Sequence, residues 1–303
     1  MKQVFRRLLA AGMASTALLS GASFAADKLP PLSVVASFSI LGDLVRVVGG
    51  DRVSVTTLVG PDEDAHVFEP KPANARAIVQ SRLLVTNGLG FEPWAQKLAK
   101  SAGYQGEIVV ASQGVKPRAM AGEKGHEETD PHAWQNPDNV VMYVRNISAA
   151  LAKVDPAGAA AYRTNAEAYA KELQTLDAWA GEQFAAIPAA RRKVITSHDA
   201  FGYFAEHYQI RFLAPQGVST DAEPSARQVA QLIKQIQREK IRAVFVENMS
   251  NPRLLAQLSR DAGVTVGPAL YVDALSAVGG PADTYLKLMR HNVTQLAAGM
   301  LAN

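Results

Sequence analysis

The sequence predicts an α/β protein of two lobes, each built on a parallel sheet, bridged by one long α-helix. Three observations carry this prediction. Short apolar runs alternate with amphipathic stretches through the first half, and the same alternation restarts in the second. Between the halves lies a single apolar stripe at steps of four and three. The chain has 303 residues and 48% apolar content, enough for two cores at the usual roughly 100–200 residues per domain.

In the first half, Leu32–Phe38 reads as a buried strand and Leu41–Val48 as a helix ended by Gly49-Gly50. Val53–Val59 is a second strand, Ala73–Gln80 a helix and Leu83–Thr86 a strand. Glu92–Ala102 is a helix and Ile108–Val110 a strand. Strand and helix in alternation imply a parallel sheet covered by helices. The stretch Gln113–Asp130 is the least structured part, with Gly114, Pro117, Gly122, Gly125 and several charges.

Pro137–Val154 is helical. Asp155-Pro156 then offers an N-cap and an N1 proline. Tyr162, Ala166, Tyr169, Leu173, Leu176 and Ala180 form one stripe on one helix. Over residues 155–187 that helix spans roughly 48 Å at 1.5 Å per residue, which suits a strut. The chain therefore divides into an N-terminal lobe at 26–154, the linking helix at 155–187 and a C-terminal lobe at 188–303.

The second lobe opens with a strand at Lys193–Thr196 and a helix at Ala200–Tyr208. Ser225-x-x-Gln228 is a capping box. Behind it Val229, Leu232, Ile233 and Ile236 face the core. Ala243–Val246 is a strand, Pro252–Ala262 a helix and Val264–Val266 a strand. A last helix begins near Pro281, with Leu286, Met289, Val293, Leu296 and Met300 inward.

The N-terminus reads as a secretory signal over residues 1–25. Lys2, Arg6 and Arg7 precede an apolar stretch at Leu8–Leu19, and Ser23 and Ala25 form a small-x-small cleavage site. Without Lys2, Arg6 and Arg7, the 31 basic residues fall to 28, equal to the 28 acidic ones. A net charge near zero removes the electrostatic case for nucleic acid. The sequence has no cysteine, which excludes disulfides, thiolate ligands and a lipidated cysteine. Export without that anchor points to a Gram-negative periplasm, and the mature chain is expected to be a soluble monomer.

Ligands in an α/β protein collect at the carboxyl ends of strands, where the crevice opens. Imidazole suits zinc and its neighbours, and carboxylate adds charge neutralisation. His66 follows a strand in Gly60-Pro-Asp-Glu-Asp-Ala-His66, His132 lies in Asp130-Pro-His132-Ala-Trp134, and His198 follows the first strand of the second lobe. Asp273, in Tyr271-Val-Asp273-Ala-Leu275, adds a carboxylate after a later apolar run. Each residue alone has an ordinary explanation as a cap or a solvated side chain. Together they put two candidate ligands on each lobe, facing one cleft. Of the other histidines, His207 lies within a helix and reads as structural or exposed. His291, beside Arg290, reads as a surface residue, and His126 as part of a solvated loop.

Enzymatic readings fare worse. His-Glu-x-x-His and Gly-x-Ser-x-Gly are both absent from the sequence. Four protein ligands would close a tetrahedral site, whereas a catalytic zinc keeps a position open for water. Gly88-Leu-Gly90-Phe-Glu-Pro93 has proline where a dinucleotide loop needs its third glycine, and no Gly-Lys-[Ser/Thr] phosphate loop is present. A binding protein is favoured over a secreted zinc hydrolase. A metal buffer or adhesin working without a transporter would use the same ligands.

Seven segments in order resemble the metal-binding solute-binding proteins of ABC transporters, the zinc/manganese type often called cluster A-I. They are Gly60–Pro70, Thr86–Glu92, Asp130–Trp134, Ser197–Phe201, Pro215–Ser219, Glu247-Asn248 and Tyr271–Leu275. The resemblance implies two lobes bridged by one long helix. It also implies one metal per chain in the cleft, with ligands at His66, His132, His198 and Asp273. A permease is the implied partner, with an ATPase subunit acting through it. Two departures point in opposite directions. The loop before the second ligand is short and holds only His126, unlike dedicated zinc importers. The third ligand is His198, where manganese-type members usually carry glutamate. The nitrogen-rich set favours Zn2+, with Mn2+ as the alternative.

Overall fold

The computed structural model describes residues 30–121, 127–221, 225–250 and 252–303. The expected signal at 1–25 and His126 lie outside the described residues. The first half runs β1 (Leu32–Phe38), α1 (Ser39–Gly49), β2 (Val53–Val59), α2 (Pro72–Gln80), β3 (Leu83–Thr86), α3 (Pro93–Ser101) and β4 (Glu107–Val110). These strands pair in the order β2-β1-β3-β4, and every pairing is parallel. β1 is flanked on both sides, which explains its near-continuous apolar character. Its alternation still shows: Val34, Ala36 and Phe38 enter the central core, while Val35 joins Leu58, Ile78 and Leu84 in an outer cluster.

A hairpin of β5 (Ala119–Ala121) and β6 (Glu127–Thr129) follows, paired antiparallel. This ladder falls in the stretch that the sequence leaves least structured. Strands of three residues are too short to show an alternation, so the ladder was invisible to pattern. After α4 (Pro137–Val154) comes the long helix α5 (Ala159–Ala185).

The start of α5 corrects the sequence reading. Pro156–Gly158 form a separate 3-10 turn, and the Asp155 side chain caps nothing. Instead its carboxylate accepts from the Tyr162 hydroxyl at 2.5 Å and pairs with Arg52 at 2.9 Å. The helix has 27 residues, spanning about 40 Å rather than 48 Å. Its buried side is the expected one: Tyr162, Ala166, Tyr169, Leu173, Leu176 and Ala180, with Phe184 beyond.

The second half runs β7 (Lys193–Ile195), α6 (Gly202–Tyr208), β8 (Arg211–Leu213), α7 (Ala226–Glu239), β9 (Val244–Glu247), α8 (Pro252–Ala262), β10 (Val266–Leu270) and α9 (Tyr285–Leu301). Its sheet order is β10-β9-β7-β8, again parallel. The capping box at Ser225 and Gln228 forms as expected. Three elements differ. β8 was missed because only three residues pair. β10 continues four residues past Val266, through Pro268. Proline is tolerated there because β10 is an edge strand. α9 starts at Tyr285 rather than near Pro281, because the Thr284 side chain accepts from Lys287 N and caps the helix there.

One core runs through both halves. It joins Val34 and Phe38 of the first sheet, Leu173 and Leu176 of α5, and Val194, Phe245 and Leu270 of the second sheet. α5 packs on α4 and α1 of the first half and on α9 of the second. The result is two parallel sheets bridged by a long helix, with their carboxyl ends turned to a common cleft.

Candidate metal centre

Four chain segments meet in the cleft. The β2 end leads into Gly60, whose N–H donates to Glu63 Oε2 at 2.7 Å. His66 follows, its own N–H donating to Asp64 Oδ1 at 2.8 Å. β7 ends at Ile195, three residues before His198, and β10 ends at Leu270, three residues before Asp273. His132 comes from outside the two parallel sheets. It follows the antiparallel hairpin and leads into a 3-10 turn at Ala133–Gln135. That turn is pinned across the cleft, since Trp134 Nε1 and Gln135 Nε2 both donate to the Val272 carbonyl at 3.0 Å.

The four residues singled out from sequence converge. His66 Nε2 lies 3.3 Å from His132 Nε2, which lies 3.4 Å from His198 Nε2. Asp273 Oδ2 lies 3.2 Å from both His66 Nε2 and His198 Nε2, and Oδ1 lies 3.7 Å from His132 Nε2. One donor atom from each lies within 4.8 Å of those of the other three. His132, His198 and Asp273 are fully buried, and only the His66 side chain keeps slight exposure, at 5%. Phe91 and Trp134 wall the cluster, with Phe91 4.8 Å from the His66 ring and Trp134 5.3 Å from the His132 ring.

Hydrogen bonding behind the rings fixes where their lone pairs point. His132 Nδ1 lies 2.9 Å from Asp130 Oδ1, and His198 Nδ1 is bonded to Glu247 Oε2. A carboxylate accepts, so each Nδ1 donates. The Nε2 lone pairs of both rings are thereby aimed into the cluster. Both carboxylate oxygens of Asp273 are buried there without a well-formed hydrogen bond. Acceptors crowded on acceptors repel unless a cation or a proton sits among them. Titration reflects this. Burial pushes His198 down, but the charges of Glu247 and Asp273 outweigh it and hold the ring well above the ordinary range. Burial raises Asp273, but His198 and His132 outweigh it and hold the carboxyl well below its ordinary range.

The carboxylates behind the rings are themselves held. Glu247 Oε1 accepts from the N–H groups of Ser197 and His198 at 2.9 and 3.1 Å, and Ser250 Oγ donates to Oε2 at 3.0 Å. Asp130 Oδ1 also accepts from His132 N at 3.0 Å, while Oδ2 pairs with Arg118 Nη1 at 3.2 Å. Sequence reasoning assigned neither carboxylate a role. Asp130 stands two residues from His132, a spacing that was available as a signal. Glu247 reaches His198 across 49 residues, which no local pattern shows.

A second group, Asp138, Asp177 and His207, also comes together. Its internal bonding is that of a hydrogen-bonded histidine–aspartate pair. Asn136 Oδ1 accepts from Asp138 N, which turns its amide nitrogen toward His207 Nδ1 at 3.4 Å. His207 Nε2 therefore carries the proton it gives Asp177 at 2.7 Å, and no lone pair faces the carboxylates. This agrees with a structural role for His207. His291 departs from the surface role expected of it: the half-buried ring bonds the Ala269 carbonyl at 2.9 Å and meets Tyr271 edge-on.

The Gly88-Leu89-Gly90 segment makes a left-handed turn, with φ of 84°, 55° and 82°. The turn brings Glu92 back beneath it, where the carboxyl accepts from Asn87 N, Gly88 N and Ser37 Oγ. Burial pushes that carboxyl up to about 6. The loop's N–H groups serve this buried acid.

The fold and the cleft define an α/β binding protein whose ligand is a cation. Residues 34–299 match the family described as the periplasmic component A of the zinc-uptake complex, and the chain belongs to that family. Among its relatives, the manganese-binding lipoprotein MntA of Halalkalibacterium halodurans is 34% identical over 89% of this chain and 88% of its own. The iron-binding protein YfeA of Yersinia pestis is 32% identical over 95% of this chain and 93% of its own. The structure of the periplasmic zinc-binding protein TroA from Treponema pallidum superposes with a TM-score of 0.84 at 27% identity, covering 89% of this chain and 99% of that one.

Proposed function

We propose that this chain binds one divalent transition metal, zinc in preference to manganese, and delivers it to the permease of an ABC importer. His66, His132, His198 and Asp273 are the proposed ligands, and the periplasm, reached through a cleaved signal, is the proposed compartment. The observation that carries the reading is the spacing of the four donors. Ligand atoms at the corners of a tetrahedron with bonds of about 2.0–2.1 Å stand about 3.3 Å apart. Four of the contacts among Nε2 and Oδ2 atoms here measure 3.2 to 3.4 Å. Three imidazoles and one carboxylate make a nitrogen-rich set, which zinc accepts without ligand-field cost, whereas manganese favours oxygen.

The same closure supports transport over catalysis. Four protein donors leave a tetrahedral ion no open position for an attacking water. The relatives are named for manganese, iron and zinc, so family membership alone does not choose the metal. A competition titration with zinc and manganese, paired with growth of a deletion strain under limitation of each, tests the choice. Tighter zinc binding and rescue by zinc support the reading. Rescue by manganese alone overturns the zinc assignment.

A further inference from the structure

Beyond the four proposed ligands, we infer that Arg118 is a positioning residue for the ion, acting through Asp130 on His132 and clamped from the other side of the cleft by Gly202. The inference rests on the metal-binding reading above.

Four contacts carry it. Arg118 Nη1 lies 3.2 Å from Asp130 Oδ2, and the other oxygen of that carboxylate takes the His132 Nδ1 proton at 2.9 Å. The guanidinium, carboxylate and imidazole therefore form one line ending at the His132 Nε2 lone pair. Arg118 is also fixed through its main chain. Its N–H donates to the Tyr203 hydroxyl at 3.0 Å, and its carbonyl accepts from Asp130 N at 2.9 Å. Tyr203 belongs to α6, the helix that begins four residues after His198.

Gly202 explains how closely that helix approaches. A Cβ there would lie 2.2 Å from Arg118 Nη1 and 2.2 Å from Asp130 Oδ2. Gly202 is not in the left-handed region, so what opposes a side chain here is the Arg118 and Asp130 tips, which would have to shift, rather than backbone conformation. The Arg118–Asp130 pair is pressed between the His132 ring and the backbone of the segment that carries His198. Asp130 is fully buried, while the Arg118 side chain is 31% exposed, so the line runs from solvent to the ion site.

Two consequences follow. Without Arg118, Asp130 keeps its bond to His132 but loses the partner that holds its second oxygen, and the ring gains freedom to turn. Removing a partner behind a metal-binding histidine typically costs about 10- to 100-fold in affinity. The loss falls on dissociation, because the ring is already buried when the ion leaves. Arg118 and Asp130 should also act as a unit, so their effects should not add.

The test follows zinc loss from the preloaded protein into excess chromogenic chelator. Arg118→Met is expected to speed release about 10-fold or more, with Arg118→Lys in between. The unfolding midpoint of the chelated protein should barely move. Asp130→Asn should give a loss of similar size, and adding Arg118→Met to it should change the rate by less than about twofold. Gly202→Ala, which must displace the pair, should also speed release, and it carries the test if Arg118→Met fails to fold. Release from Arg118→Met within about twofold of the unmodified rate, or effects that multiply in the double variant, would overturn the inference. An unmodified chain that takes up neither zinc nor manganese would instead overturn the proposed function, so the two failures are distinguishable.

Discussion

At the scale of single residues, His132, His198 and His207 sort by what their second nitrogen meets. His132 and His198 each give Nδ1 to a carboxylate and turn Nε2 inward. His207 gives its Nε2 proton to Asp177. His132→Ala and His198→Ala should therefore each weaken zinc binding by more than about 100-fold, beyond the loss usual for a supporting residue. His207→Ala should leave affinity unchanged and only loosen the Asp177 contact. Equal losses for His207→Ala and His198→Ala, with both variants folded, would contradict this sorting.

The His198 shift also sets a pH dependence. Its value in the folded, metal-free protein lies well above the ordinary one of about 6.5. Charging of His198 thus stabilises the metal-free protein fully below about 6.5, and this contribution is lost as pH rises through the folded value. Metal must displace that proton, so affinity rises over the same range. The gain in melting temperature on adding zinc should therefore grow from pH 6 to pH 8. Scanning calorimetry with and without chelator measures it. A gain that is flat with pH would contradict histidine ligation.

At the scale of elements, α5 is where pattern was most legible. Its stripe from Tyr162 to Ala180 was readable because a 27-residue helix repeats its face many times. Leu173 is fully buried at mid-helix, and Leu173→Ala should destabilise the protein by about 2–5 kcal/mol. Thermal unfolding of the chelated form should show it, with one zinc still bound per chain. A variant that keeps its melting temperature would mean that α5 is not packed as described. Strands that repeat over four to seven residues were likewise found within a residue or two, β10 excepted. β5, β6 and β8 were not, since three residues carry no period; β7, equally short, was found from its place at the restart of the alternation. The one-residue shift of β9 mattered more, because it brings Glu247 into the strand and under His198. The four cleft residues were legible as strand-end or loop histidines and an aspartate. Their supports at Glu247 and Arg118 were not, because those contacts join residues 49 and 12 apart in sequence, while Asp130, two residues from His132, offered a signal in its spacing alone.

At the scale of the molecule, the two halves are tied directly as well as through α5. Asp62 N donates to the Leu275 carbonyl, Leu275 N to Ser39 Oγ and Tyr285 N to Asp43 Oδ2, all at 2.8 to 3.0 Å. Thr220 Oγ1 reaches Asp64 Oδ2 at 2.6 Å and Asn248 Nδ2 reaches Asp62 Oδ1 at 2.8 Å. These bonds hold the halves together, and His66, His132, His198 and Asp273 from both halves meet at one point. A single point of that kind takes a single ion, and this is the claim on which the rest depends. Calorimetric titration of zinc into chelator-stripped protein tests it most directly. The account predicts one tight site per chain, with proton release, that disappears in His198→Ala. No tight site, or two equivalent sites that survive His198→Ala, would contradict it.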